Sequence, residues 1–236
     1  MLYGVKLDGV DTLKEYGLML LADVKIGTPK LKETRKSIPG ANGDLNLSYA
    51  ITGRPTYENR PLDFSLFRSA NDITLTAIKS ALMGKYHGRE VRIQFPFDRS
   101  RYYTGVLSVG ETAGYNSGKF SVSAEVYPYK LEINTSSEPW LWDDFNFESD
   151  IARDYSELPV DGESNYTIVS STMPVMPKFI VKSRDGEGID VGVKNSRYHL
   201  SDGESTIPGF FLESEDYTLT FSGYGTVTVE FRGGEF

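Results

Sequence analysis

Alternation of apolar and polar residues organises most of the chain. Leu45, Leu47 and Tyr49 alternate with Asp44, Asn46 and Ser48, the period-two mark of a half-buried strand. Leu62, Phe64 and Leu66 share one face of a second strand. Val91, Ile93 and Phe95 share one face of a third, which Pro96 ends. Residues 103–109 and 120–127 read as a hairpin around Ala113-Gly114-Tyr115-Asn116-Ser117-Gly118. Nearer the C-terminus, strands are expected at 179–182, 189–193, 198–200, 217–221 and 226–231. Turn sequences such as Asp185-Gly186-Glu187-Gly188 and Ser222-Gly223-Tyr224-Gly225 separate them. Short strands at this spacing suggest a β-sandwich.

The period changes once. Over 69–84, Leu75, Ile78, Ala81 and Leu82 form a single helical stripe. Ser69 or Asn71 suits the N-cap, Asp72 the first turn and Gly84 the left-handed residue past the end. Residues 2–21 read as a strand and turn followed by a second strand at 18–21. Residues 132–176, rich in Ser, Glu, Asp and Pro, read as a connecting segment with an aromatic cluster of Trp140, Trp142, Phe145 and Phe147.

One stretch has strand patterning with almost nothing to bury. From Lys25 to Ser37 charged residues alternate with β-compatible ones, and Ile38-Pro39-Gly40-Ala41-Asn42-Gly43-Asp44 is turn chemistry. Together 28–49 predict a long β-hairpin extending from the body. Such a segment cannot offset its ordering entropy with a core of its own. It is either a solvated loop, whose lysines discourage edge pairing, or an arm that gains order on another chain.

Charge divides the chain. Residues 1–130 hold 18 Lys/Arg against 13 Asp/Glu, a net of +5, and residues 131–236 hold 7 against 20, a net of −13. Two domains with different surfaces are expected, 1–130 and 131–236. The absence of cysteine excludes disulfides, thiolate metal sites and thiol nucleophiles. No apolar run approaches the ~20 residues that a membrane-spanning helix needs. Met1 to Val10 carries Asp8 and lacks the apolar stretch of a signal peptide, so synthesis in the cytoplasm without a secretion signal is expected.

The ordered set of motifs in the first domain resembles the distal tail proteins of siphophages that infect Gram-positive bacteria. The set is Asp11-Thr12, Tyr16-Gly17-Leu18, Ile38-Pro39-Gly40-Ala41-Asn42-Gly43-Asp44-Leu45 and Tyr57-Glu58-Asn59-Arg60, then the helix ending at Gly84, Pro96, Tyr103-Thr104-Gly105 and Pro128-Tyr129. The closing Phe231-Arg232-Gly233-Gly234-Glu235-Phe236 is similar to that family's C-terminal strand. The resemblance implies a mainly β protein of the virion. Its N-terminal domain, β-sandwich or split-barrel-like with one helix and a long β-hairpin arm, would build a six-subunit ring. Its C-terminal domain would be a galectin-like β-sandwich. The arm would lie on the neighbouring subunit, and the ring would join the tail tube protein to the tail-tip hub or tail-associated lysin. The chain is too short for the inserted carbohydrate-binding module of some members. Interface candidates carried over from the motifs and the arm are Lys30, Lys32, Arg35, Ile38, Pro39, Gly40, Gly43, Tyr57, Asn59 and Arg60.

The chemistry of enzymes finds little support. His87 and His199 are the only histidines, and GxSxG, HExxH, Walker A and GxGxxG motifs are missing. No catalytic residue, metal ligand or cofactor is expected. Asp143 and Asp144 beside Trp140 and Trp142 could serve a sugar site, or could face water while the rings pack a linker. Asp185, Glu187 and Asp190 lack EF-hand spacing. Arg89, Arg92, Arg99 and Arg101 near Tyr102 and Tyr103 are a weak signal for nucleic acid, with a net of only +5 beside a second domain of −13. The alternative function is a module that binds host cell-wall saccharide, with Trp140, Trp142, Tyr198 and Tyr217 as contacts.

Overall fold

The computed structural model describes residues 2–50, 52–112, 118–139 and 151–236. The chain is mainly β and divides into two compact units. One comprises 1–98 and 103–128, the other 99–102 and 129–236.

The first unit contains β1 (Lys6–Leu7), β2 (Val10–Asp11), α1 (Thr12–Tyr16), β3 (Met19–Leu20), β4 (Lys25–Ile26), β5 (Arg35–Ser37), β6 (Asp44–Asn46), β7 (Arg60–Phe67), α2 (Asp72–Tyr86), β8 (Arg89–Gln94), most of β9 (Arg101–Thr112) and β10 (Lys119–Val126). Its antiparallel sheet runs β2-β1-β8-β9-β10-β7, with β3 and β4 both paired to the outer edge of β7. Inward positions alternate as the sequence predicts: Leu62, Phe64 and Leu66 meet Val91, Ile93, Leu107, Val122 and Val126 in one cluster. On the outward face of β7, β9 and β10, Asp63, Val106, Ser123 and Glu125 are exposed, whereas Ser65 is buried and donates to Asp23 Oδ2 at 2.8 Å.

The helix differs from expectation in its end and its stripe. Asn71 caps it, its Oδ1 accepting from Thr74 N–H at 2.9 Å. It runs through Gly84 to Tyr86, and the left-handed residue is Gly88 (φ +69°). The buried stripe is Leu75, Ile78, Leu82 and Tyr86, whereas Ala81 is exposed. Burial of Tyr86, which is 1% exposed, outweighs the roughly 1 kcal/mol that an interior glycine costs. A second helix, α1, replaces part of the strand-turn-strand expected over 2–21. Asp11 Oδ1 accepts from Leu13 N–H at 2.8 Å, and Gly17 ends the turn at φ +66°.

The second unit contains β11 (Lys130–Glu132), β12 (Leu158–Ile168), β13 (Lys178–Ser183), β14 (Ile189–Val193), β15 (Ser196–Leu200), β16 (Gly203–Thr206), β17 (Tyr217–Glu230) and β18 (Gly234–Glu235). β17 is the spine. β12 pairs with one edge over eleven residues, Leu158↔Val227 through Ile168↔Tyr217. The other edge is shared, with β14 beside Leu219–Ser222 and β13 beside Gly225–Glu230. The handover lies at Gly223 and Gly225, with φ +145° and +152°. A Cβ on Gly225 would sit 2.2 Å from the Lys182 carbonyl oxygen, so only glycine lets the spine bend there. As a result Val191 and Ile189 from one side and Phe179 and Val181 from the other enter a single core with Leu219, Phe221, Val227 and Val229.

β12 corrects the reading of 132–176 as a connection. Its outward residues are polar because that face is wet, and Val160 and Ile168 are its only fully buried apolar side chains. A buried cation holds the segment before it. The Arg153 side chain is 3% exposed. It donates to Glu132 Oε2 at 2.5 Å and to the carbonyls of Val169 and Ser170 at 2.9 and 3.0 Å.

Candidate assembly surface

The hairpin over 28–49 has a pinned base and an exposed tip. At its root, β4 pairs with β7 (Lys25↔Asp63, Ile26↔Leu62), and Gly27 N–H donates to Pro61 O at 2.8 Å. Residues 25–27 therefore gain their order from their own sheet, and the expectation of an arm ordered elsewhere cannot begin at Lys25. Above the root, Leu31 and Tyr57 form an isolated bridge. Lys32 N–H donates to Thr56 O and Glu58 N–H to Lys30 O, both at 2.8 Å.

Beyond that point the ribbon supports itself. β5 and β6 form a separate two-stranded sheet in the register Arg35↔Asn46, Lys36↔Leu45, Ser37↔Asp44. Thr34 O accepts from Leu47 N–H at 2.8 Å, and Ser48 Oγ accepts from Thr34 N–H at 2.8 Å. Gly40 and Gly43 take φ +82° and +78° in the turn, as its chemistry predicts. Every residue from 32 to 46 is exposed.

The ribbon has two unlike faces. Cross-strand partners share a face, so Lys36 lies with Leu45, and Thr34 and Leu47 flank them two residues away. The opposite face carries Arg35, Ser37, Asp44 and Asn46. There Arg35 Nε meets Glu33 Oε2 at 2.9 Å, and this bond raises the arginine above its ordinary pKa. Leu45 is 48% exposed and Ile38 45%, and Lys30, Lys32 and Lys36 have no ion-pair partner among the described residues.

Of the interface candidates, Lys30, Lys32, Arg35, Ile38, Pro39, Gly40 and Gly43 lie on this exposed arm, with Asn59 exposed at its base. Tyr57 is half-buried in the bridge to Leu31. Arg60 departs from them, being 4% exposed at the start of β7. Its Nε and Nη2 have no hydrogen-bond partner among the described residues, and its guanidinium carbon lies 5.2 Å from the centroid of the Tyr103 ring. Desolvation lowers its pKa from the ordinary arginine value. Arg60 is a core cation of its own unit, not an exposed contact. Its parity with Leu62, Phe64 and Leu66 was the available signal for an inward side chain.

Of the saccharide candidates, only Tyr198 and Tyr217 lie among the described residues. Trp140 and Trp142 lie outside the described residues, as do Asp143 and Asp144. Tyr198 is 38% exposed on β15, whereas Tyr217 is 6% exposed, edge-on to Phe210 at 5.7 Å. Burial raises the Tyr217 hydroxyl pKa, and this residue belongs to the core, not to a binding face. Asp190 is engaged by His199 Nδ1 at 2.8 Å and Arg197 Nε at 3.1 Å, while Asp185 Oδ1 accepts from Glu187 N–H at 3.0 Å. Among the described residues no three His, Cys, Asp or Glu side chains are grouped to hold a metal ion. Nor do the arginines form a stripe: Arg101 is 6% exposed, with Nε 3.2 Å from Glu235. Among the described residues no helix is long and apolar enough to cross a membrane.

No family model and no curated protein matches the chain. Its fold is similar to the crystal structure of the SPP1 Dit protein, described as a paradigm of the hub adsorption apparatus in phages infecting Gram-positive bacteria. The likeness has a TM-score of 0.57 at 14% identity and covers 97% of this chain and 98% of that one.

Proposed function

We propose that this chain is a non-catalytic structural protein of a phage tail tip, which self-associates through its hairpin arm into a closed ring. The observation that carries the reading is the arm itself. Residues 32–46 form a paired ribbon with an exposed apolar and cationic face that no described residue of its own unit covers. An exposed ribbon of this kind invites pairing, and a cyclic assembly both uses and hides it. The fold likeness to SPP1 Dit, which spans nearly the whole of both chains, supports the tail-tip setting. On this reading the protein resides in the virion. A ring of six copies would connect the tail tube to the hub or tail-associated lysin, with the second unit as a galectin-like domain.

The test is mass by light scattering over a range of concentrations, for the parent and for a variant in which an Asn-Gly turn replaces residues 35–46. The close pairing of Thr34 with Leu47 leaves the base intact in that variant. The parent is expected at six times 26.4 kDa and the armless variant as a folded monomer. An assembly that survives loss of the arm, or a parent that stays monomeric at all concentrations, refutes the proposal.

A further inference from the structure

The turn that joins β5 to β6 carries a reactive pair that the assembly reading does not use. Asn42 is the only asparagine in the chain that a glycine follows. The backbone nitrogen of the next residue can attack an asparagine's side-chain amide carbon, and glycine, with no Cβ, shields that nitrogen least. The attack needs a nitrogen free of hydrogen bonds, a side chain free to turn onto it, and water.

This turn meets all three conditions. Asn42 and Gly43 are exposed. The turn's own hydrogen bond runs from Ala41 N–H to Ile38 O at 3.1 Å, which leaves Gly43 N–H and the Asn42 amide without a partner among the described residues. Gly43 takes φ +78°, and even a Cβ built there would meet nothing within 4 Å. The Asp-Gly steps are held instead. Asp8 Oδ1 accepts from Arg92 N–H at 2.8 Å, Asp185 Oδ1 from Glu187 N–H at 3.0 Å, and Asp202 Oδ1 from Ser183 N–H at 2.7 Å. Gly162, after Asp161, is paired with Gly223 inside β12. A carboxylate carbon is also a poor electrophile at neutral pH. The exposed Asn195 precedes Ser196, which the ladder fixes opposite Val193.

We propose that Asn42 is a self-modification site, where attack by the Gly43 nitrogen expels ammonia and leaves a mixture of aspartate and isoaspartate. The bond from Gly43 N to Asn42 Cγ forms and the Cγ–Nδ2 bond breaks. The proton of the Gly43 nitrogen departs with the amide as ammonia. Water then opens the five-membered imide. Opening at Cγ gives aspartate, and opening at the backbone carbonyl gives isoaspartate, whose chain runs through Cβ. A water is consumed and an ammonia released, with no oxidant or reductant. Each copy gains a carboxylate near Asp44, on a ribbon where Lys32, Arg35 and Lys36 outnumber Glu33 and Asp44. Isoaspartate also adds a backbone atom between β5 and β6. The arm thus records the age of the molecule. This chemistry belongs to the single chain and does not depend on the tail-tip reading.

The test incubates the full-length protein in mildly alkaline and mildly acidic buffers, beside a free peptide of residues 38–47, with peptide mass mapping over time. The fragment containing Asn42 should show the mass gain of –NH2 replaced by –OH, matched by released ammonia and by isoaspartyl methylation in vitro. The gain should be faster in alkali, where the Gly43 nitrogen gives up its proton more readily. It should lead every other asparagine by an order of magnitude or more, and it should keep within a few-fold of the free peptide. Asn42→Gln, which would need a six-membered ring, and Gly43→Ala, whose methyl crowds the nitrogen, should each slow it by a similar factor. No conversion at Asn42 in the protein overturns the proposal, whatever the peptide does. So does earlier conversion of another asparagine, or an Asn42→Gln variant that releases ammonia as fast as the parent.

Discussion

Arg153 offers a sharp test of how the second unit is held together. Its guanidinium is 3% exposed, 2.5 Å from Glu132 Oε2, and also donates to the carbonyls of Val169 and Ser170. The guanidinium carbon lies 5.5 Å from the centroid of the Phe231 ring. Arg153→Met keeps much of the volume and removes all of these contacts. Breaking a buried ion pair from one side costs about 3–5 kcal/mol, because the remaining charge is left desolvated. Glu132 keeps 19% exposure and can recover some water, which pulls the figure down. Each carbonyl that loses its donor adds about 1 kcal/mol, which pushes it up. A net loss of about 4 kcal/mol follows, a large share of the roughly 5–15 kcal/mol that stabilises a typical domain. In a urea titration followed by near-UV circular dichroism, a slope of roughly 2 kcal/mol/M turns this into a midpoint about 2 M lower for the second unit. Replacing both partners, Arg153→Met with Glu132→Leu, removes the orphaned charge and should recover at least half of the loss. The reasoning is refuted if Arg153→Met costs less than 1 kcal/mol, or if the double variant is as unstable as the two single losses summed.

Two glycines with positive φ should respond differently. Gly225→Ala forces a Cβ to 2.2 Å from the Lys182 carbonyl oxygen and adds backbone strain of roughly 1–3 kcal/mol, so the melting temperature should drop sharply. Gly43→Ala at φ +78° meets nothing within 4 Å, and its cost of about 1–2 kcal/mol is confined to the arm, leaving the main transition unchanged. Leu82→Ala, at 1% exposure on the stripe of α2, should destabilise the first unit by about 2–5 kcal/mol in chemical denaturation. The Asp23 carboxylate is held below its usual 3.8, first by the hydrogen bond from Lys119 and then by the Ser65 hydroxyl. Its stabilisation is present above that ordinary value and fades as pH falls through the lowered one. The pair is some 40% exposed, so the term is only about 0.2–1 kcal/mol, and Asp23→Asn should remove it near neutrality while changing little at pH 2.

The parts legible in the sequence are those where each residue's neighbours are its own near neighbours in the chain. Alternation marked β7, β8, β13 and β14, because a strand with one wet face must place its apolar residues two apart. Turn chemistry marked Gly40 and Gly43, and the shortage of apolar residues marked the arm as unable to bury itself. Tertiary structure decided the rest. β12 is too polar to declare itself and is a strand because the long edge of β17 accepts its backbone groups. α2 passes Gly84 because Tyr86 packs into the core of its unit, which is built from residues distant in sequence. Arg60 turns inward and Tyr217 becomes core, although both types more often face water, because their positions in register leave no other direction. The outward face of β7, β9 and β10 joins residues some sixty positions apart in sequence. Local order was written along the chain, whereas surfaces and burial depend on which strands lie side by side, and long-range pairing alone fixes that.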